Sequence, residues 1–439
     1  MSEIIALLVC LEGQVAASTL RQLSQIVQAF LCIPHRATML GLARWGEKGG
    51  SYRSLQRFYQ TPIDWLLVQW TLLKTCFLSR NGVYLLAGDE VVVSKAGKKT
   101  HGVGRFYSSI AQRVIPSLSF LAVSVIALEA RQSYPLQIEQ LMPTCPQEKP
   151  VKPLTKRPRG RPKGSKNHAK PEPLLTPTLA LLQRILGGLK RQIAALAVKH
   201  IVLDGKFGNA PSLRVVRETG LHLISKLRHD AALYLPFTGA KPPRGPTPRY
   251  GVKLKLAQLP QEAQRETRIE GDYHLQIYQI QAYQKEYPEI LNIVVILKTH
   301  LKTGKVGQVL LFSTDLSLTA AQIIDYYSLR FQIEFNFRDA KQYWGLEDFM
   351  NVSPQAVSNA SNLAFLMVNL SHVLLKPQRQ HDPHFSVLDL KAQFRAQRYL
   401  AETIKFLPVS PEPHLISRIW QRLTRFGAVR TRQLDKFAA

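Results

Sequence analysis

The segment Ser117–Leu128, SLSFLAVSVIAL, limits the possible architectures more than any other. A strand with one wet face alternates apolar and polar residues, whereas a run this continuously apolar needs cover on both faces. The chain must therefore build a sheet between layers of other elements. Shorter apolar runs, Val83–Gly88, Val91–Val93 and Ile201–Leu203, read as further strands. A helix over Thr178–Ala197, weakened by Gly187 and Gly188, stands between them. This order predicts an α/β sandwich over about residues 80–350.

The flanks read differently. Residues 1–79 are helical in pattern, with Leu20, Leu23, Ile26, Val27 and Phe30 at three- and four-residue spacings. The first residues are apolar but carry Glu3 and Glu12 and lack a basic stretch, which fits a packed helix rather than a signal peptide. After Gly46, Gly49 and Gly50, Ser51 stands where it can cap a helix with Arg53 and Arg57 on one side and Leu55 and Phe58 on another. A small DNA-binding domain and a solvated basic helix fit this pattern equally well. Residues from about 228 to 318 read as a β-rich insertion, with Leu275–Ile280 and Ile293–Leu297 its clearest strands. Residues 319–345 read as one helix, capped by Thr319 and stopped at Gly345. Ala356–Leu375 opens a C-terminal helical region, 351–439.

Charge narrows the partners. Fifty-eight Lys and Arg face 30 Asp and Glu, a formal +28, and nucleic acid is the commonest polyanion to balance such an excess. Cys10, Cys32, Cys76 and Cys145 form no CxxC pair, which argues against a zinc finger or a disulfide framework and fits a reducing cytosol. No run approaches the ~18 apolar residues that span a bilayer. The expected setting is cytoplasmic, associated with the nucleoid, with no membrane partner.

Two acids sit at the ends of strand-like runs: Asp89 after VYLLAG and Asp204 after IVL. Both would lie near a core yet at the rim of the sheet, and close together they would repel unless protonated or bridged by a cation. A turn or cap role is the ordinary alternative for Asp204, which precedes Gly205. Glu90 competes with Asp89, but along a continuing strand the two point to opposite faces, so only one can serve.

The helix after residue 319 says more. At ~100° per residue, Tyr327, Arg330, Glu334 and Lys341 share an arc of about 60°, with Arg338 close beside them. An acid flanked by cations and a phenol suits a phosphodiester: the carboxylate holds metal, and Arg and Lys hold phosphates. An Arg330–Glu334 surface ion pair at i, i+4 is the competing explanation.

The spacing Tyr327-x2-Arg330-x3-Glu334-x6-Lys341 matches the YREK signature and resembles bacterial insertion-sequence transposases of the DDE class, the insertion-sequence-four superfamily. The segments YYSLRFQIEFNFRDAKQYWGLEDFM (326–350), GDEVVVSKAGKKTHG around Asp89 and LDGKFGN around Asp204 look like theirs in the same order. Val91 stands where the family more often has Thr. The resemblance implies a ribonuclease-H-like α/β core in which Asp89, Asp204 and Glu334 are catalytic and hold two Mg²⁺ ions, for which Mn²⁺ can substitute. One ion would activate water or a 3′-hydroxyl, and the other would stabilise the leaving oxygen. It also implies phosphate contacts from Tyr327, Arg330 and Lys341, a flipped base against Phe331, double-stranded DNA partners at element ends and target, and a synaptic homodimer.

Residues 145–172 are rich in Lys, Arg and Pro and cannot form a core. Within them Gly160-Arg161-Pro162, flanked by Arg159 and Lys163, resembles an AT-hook that lies in a narrow minor groove. A generic basic linker is the alternative. The expected function is cut-and-paste transposition. The alternatives are a DNA-binding protein derived from a transposase without chemistry, and a nuclease on the same core.

Overall fold

The computed structural model describes residues 2–46, 50–79, 81–108, 111–143, 175–241, 245–256, 258–409 and 411–424. Cys145 and the AT-hook candidates Arg159, Arg161 and Lys163 lie outside them.

Five helices open the chain: α1 (Ser2–Leu8), α2 (Ala17–Cys32), α3 (Met39–Trp45), α4 (Tyr52–Gln60) and α5 (Trp65–Cys76). Ser51 caps α4 as expected, its side chain accepting from the Ser54 N–H. Then come β1 (Tyr84–Ser94), β2 (Gly104–Ser108), β3 (Arg113–Ala127) and β4 (Gln132–Leu141). The expected helix over 178–197 is two, α6 (Pro177–Gly188) and α7 (Lys190–Ala195), divided beside the paired glycines that lower helix stability there. They lead to β5 (His200–Leu203), α8 (Ala210–Arg217) and β6 (His222–Leu227).

The span read as β-rich holds β7 (Leu233–Pro236), β8 (Tyr250–Lys253), β9 (Gln264–Glu270), β10 (Tyr273–Gln284), β11 (Ile290–His300) and β12 (Val306–Ser313). It does not stand apart, because β12 pairs antiparallel with β6 and extends the same sheet. The chain closes with α9 (Ala320–Leu329), α10 (Gln332–Gln342), α11 (Pro354–His381), α12 (Val387–Lys405) and α13 (Pro413–Leu423).

The α/β class read from the sequence is what is seen: one large mixed sheet covered by helices. Among the described residues it runs β2-β3-β1-β5-β6-β12-β11-β10-β7-β8, with β4 on β3 and β9 on β10. Around the first aspartate, β3 lies antiparallel to β1, while β5 lies parallel to β1 and β6 parallel to β5. Every residue of Ser117–Ile126 is buried, as its composition demands. Along β1, Leu85, Ala87, Val91 and Val93 join the core beneath α2, α10 and α11, while Tyr84 and Leu86 join the core beneath α6 and α8. No helix among the described residues is long and apolar enough to cross a membrane.

The segment 319–345 departs from a single helix. Thr319 caps α9 in a reciprocal capping box with Gln322. Between α9 and α10 the Arg330 N–H donates to Tyr327 (3.2 Å), Phe331 to Ser328 (3.2 Å), Ile333 to Arg330 (3.1 Å) and Glu334 to Phe331 (3.0 Å). These i→i−3 bonds are a 3₁₀ tightening, which advances ~120° per residue instead of ~100°. No Gly or Pro causes it; Leu329 and Ile333, both buried, hold the two helices to the core on either side. Gly345, at φ +72°, turns the chain away where a stop was expected.

Candidate active site

Asp89 and Asp204 meet by backbone register. In the parallel pairing of β1 with β5, Leu86 faces Ile201, Ala87 faces Val202 and Gly88 faces Leu203. Asp89 and Asp204 occupy the next positions, one step past the last paired residues. Strand alternation sends Asp89 to the side of Ala87 and Val91, toward α9 and α10. Glu90 goes to the other face, where its carboxylate binds Lys206 Nζ at 2.6 Å. Of the two neighbouring acids, Asp89 is the one on the side of α9 and α10.

Asp204 precedes a short 3₁₀ turn, Gly205–Phe207, but its side chain makes no capping bond. The turn is held through its backbone instead: the Asp204 carbonyl accepts from the Phe207 N–H (2.8 Å) and from Ser225 Oγ (3.0 Å). Gly208 completes the turn under a close approach, since a Cβ there would fall 2.3 Å from the Lys226 carbonyl oxygen. The Asp204 carboxylate is thus left for something other than capping.

α10 brings the third acid. Ile333, Phe337 and Ala340 are buried, and Asn336 donates to Ser133 Oγ (2.8 Å) and Ser124 Oγ (3.3 Å) on the sheet. This anchoring leaves Glu334 partly open, its side chain 41% exposed. Arg330 spans the gap. Its Nη1 donates to Asp89 Oδ2 at 2.6 Å and its Nη2 to Glu334 Oε1 at 3.3 Å, with the side chain only 15% exposed. The i, i+4 pair is present, but it belongs to a partly buried three-residue contact rather than a surface ladder. Burial raises the Asp89 pKa to about 6; Arg330 and the Glu90 N–H oppose the rise, while Asp204 and Glu334 add to it. Burial also raises the Tyr327 phenol, which feels Arg330, Asp204 and Asp89. Five of the sequence candidates therefore share one electrostatic neighbourhood.

The others stand at its edge. Lys341 Nζ donates to the Val92 carbonyl at 2.9 Å and lies 3.7 Å from Glu347, tying α10 to β1. Phe331, half exposed, meets Phe335 edge-to-face, and Arg338 stacks over Phe335 while pairing with Asp339. Nearby on β5, His200 Nε2 is hydrogen-bonded to the Asp315 carboxylate at 2.8 Å.

Sequence reasoning missed Lys95. Its buried ammonium donates to the carbonyls of Leu346 (3.2 Å), Glu347 (2.9 Å) and Phe349 (2.9 Å) and sits 3.6 Å from the Phe349 ring centre. It fixes the loop that follows α10. In sequence it stands in a run with Lys98 and Lys99 that reads as an ordinary exposed basic loop, so only its place directly after a strand hinted at burial.

The donor set, three carboxylates with no sulfur or imidazole among them, has the hard-oxygen chemistry that suits Mg²⁺. As they stand, with Arg330 between Asp89 and Glu334, no three His, Cys, Asp or Glu among the described residues are gathered closely enough to hold an ion. Here the guanidinium supplies part of the positive charge that a metal ion would bring.

Among solved structures the chain is similar to that of a piggyBac transposase synaptic complex with hairpin DNA, at 12% identity and a TM-score of 0.35, over 77% of this chain and 57% of that one. It thus spans little more than half the length of that protein. No curated protein matches. Residues 10–286, well over half of the chain and containing both Asp89 and Asp204, match the family described as DDE superfamily endonuclease. The protein belongs to that family.

Proposed function

We propose that this endonuclease-family protein is a transposase of the insertion-sequence type with the YREK signature, which binds the terminal inverted repeats of its element, cuts there and joins the ends to target DNA. The observation that carries the reading is the convergence of Asp89, Asp204 and Glu334, from β1, the end of β5 and α10, around Arg330. The order of strands supports a ribonuclease-H-like core: an antiparallel set, β4-β3-β1, followed by the parallel β5 and β6.

Asp89, Asp204 and Glu334 would hold the divalent metal, which when bound supplies Lewis-acid stabilisation and a more reactive oxygen nucleophile. The remaining work falls to the chain. Arg330, freed from the acids, offers a fork of donors that matches a phosphate. Tyr327 offers a hydroxyl beside it, and Lys341 a positive charge at the β1 side. Phe331 and Phe335 present exposed rings on which an unpaired base can stack. The basic segment containing Arg159, Arg161 and Lys163 adds salt-dependent affinity for the duplex. Two copies would bring the two element ends together.

The test is incubation of the protein with Mg²⁺ or Mn²⁺ and DNA carrying the element's inverted repeats, following end cleavage and joining. Cleavage and joining by wild type and neither by Glu334→Ala is the expected outcome. Absence of both reactions from wild type with either ion overturns the proposal.

A further inference from the structure

α2, α3 and α4 pack on one another, and α4 also packs on α11. The inner face of α4 is Leu55, Phe58 and Tyr59, all buried. Its outer face is Arg53, Gln56, Arg57 and Gln60, exposed at i, i+3, i+4 and i+7 and therefore one stripe, with Tyr52 at its start. Among the described residues neither arginine has an acid at ion-pairing distance, although acids are used freely elsewhere on the surface, as in Arg131–Asp325 and Arg36–Asp348. The paired donors of arginine match the major-groove edge of guanine, and the donor–acceptor pair of glutamine matches that of adenine. A solvated helix face has no need of that choice and more commonly alternates Glu with Lys.

The attachment of α4 is equally specific. Asn359, fully buried on α11, donates from Nδ2 toward the carbonyls of Phe58 (3.2 Å) and Tyr59 (2.9 Å) in the last turn of α4 and of Thr61 (2.8 Å) just after it. Its Oδ1 accepts from Trp65 Nε1 at 2.8 Å, and Ser353 Oγ donates to Gln60 at 2.9 Å. α11 in turn packs on α10, with the Phe337 and Phe365 rings 6.2 Å apart. A rigid path therefore runs from the outer stripe of α4 through Asn359 and α11 to the helix that bears Glu334.

We propose that α4 is the helix that reads sequence: Arg53, Gln56 and Arg57 contact base edges in the major groove of double-stranded DNA, and Asn359 fixes the offset between the bases read and the bond addressed by the carboxylates. This rests on the DNA-cutting reading above and deepens it. Reading and cutting are held in one frame rather than joined through a flexible linker.

The experiment is selection of bound sequences from a random duplex pool by the full chain and by Arg53→Ala, Gln56→Ala and Arg57→Ala. Each residue is exposed, so the variants keep the fold, and equal thermal midpoints check this. Wild type should enrich a short motif, and each variant should lose discrimination about tenfold at one or two positions of it, while affinity for unrelated duplex falls less. Enrichment of the same motif to the same degree by all three variants overturns the proposal while leaving DNA cutting intact. Binding of duplex by wild type with no motif also overturns it. Absence of any DNA binding by wild type overturns both readings. A second arm inserts one to three base pairs between the motif and the cleaved bond. Cleavage that moves with the motif supports the fixed offset, and cleavage that stays at the original bond refutes it.

Discussion

The guanidinium of Arg330 lies 2.6 Å from the Asp89 carboxylate and 3.3 Å from that of Glu334, so one positive charge is already shared between two acids of the candidate site. A cation entering the site must displace Arg330 or share the oxygens with it. Removing the guanidinium should therefore tighten metal binding in the absence of DNA, where a merely structural arginine would leave it unchanged or weaken it. Arg330→Gln is expected to bind Mn²⁺ about tenfold more tightly by titration calorimetry, which corresponds to ~1.4 kcal/mol. Unchanged or weaker binding would sink the idea. Under the phosphate contact proposed for Arg330, the same variant should bind element-end DNA less well.

Glu334 is held by its helix, not by its own contacts. Its partly exposed side chain touches only Arg330 among the bonds and ion pairs described, so Glu334→Ala should cost at most ~0.5 kcal/mol of stability. Cleavage should nonetheless disappear while duplex binding in gel shifts persists. A variant that melts many degrees below wild type would place Glu334 among the structural residues instead.

Lys95 makes the reverse prediction. Lys95→Met keeps the apolar stem but strands three carbonyls, two of them in buried contacts, and leaving buried acceptors unpaired costs ~1–3 kcal/mol. Denaturant unfolding should show that loss. Activity should fall at the same time, because the freed loop follows directly from α10. Full stability in the methionine variant would contradict the clamp.

His372 gives the fold a pH dependence. On α11 its Nδ1 accepts from Gln132 Nε2 at 2.7 Å, which requires an unprotonated nitrogen, and burial holds its pKa down at about 4. In the unfolded chain the value returns to about 6.5. As the pH falls from about 6.5 toward 4 the unfolded chain gains a proton that the folded chain refuses, so stability is lost across that window and levels off below it. The slope for one proton is at most ~1.4 kcal/mol per pH unit, and the total at most on the order of 3 kcal/mol. His372→Gln, which keeps an acceptor facing Gln132, should flatten the difference in unfolding free energy between pH 6.5 and 4.5. Parallel profiles for the two proteins would refute the assignment.

Much of this was legible because it depended on local pattern. The burial of β3, the caps at Ser51 and Thr319, the stop at Gly345 and the divergence of Asp89 from Glu90 all follow from residue type and a period of two or 3.6. The break at Arg330–Phe331 was not legible. Both residues keep right-handed helical backbone angles, and neither is a helix breaker. The turn is tightened by what lies on either side of it in space. Lys95 escaped for the same reason, since its three acceptors lie more than 250 residues away in the chain. The joining of β12 to β6 could not be read either, because strand runs carry no record of their neighbours.

The register that seats Asp204 beside Asp89 also predicts which copies of this gene survive accidental change. Their separation comes from the hydrogen-bond lattice between β1 and β5, not from loop length or side-chain packing. Losing or gaining a single codon within His200–Leu203 would turn Asp204 to the opposite side of the sheet, whatever residues remained. Length variation in such lineages should therefore collect outside these four residues. A shifted β5 would mark a copy in which the two aspartates no longer share a face.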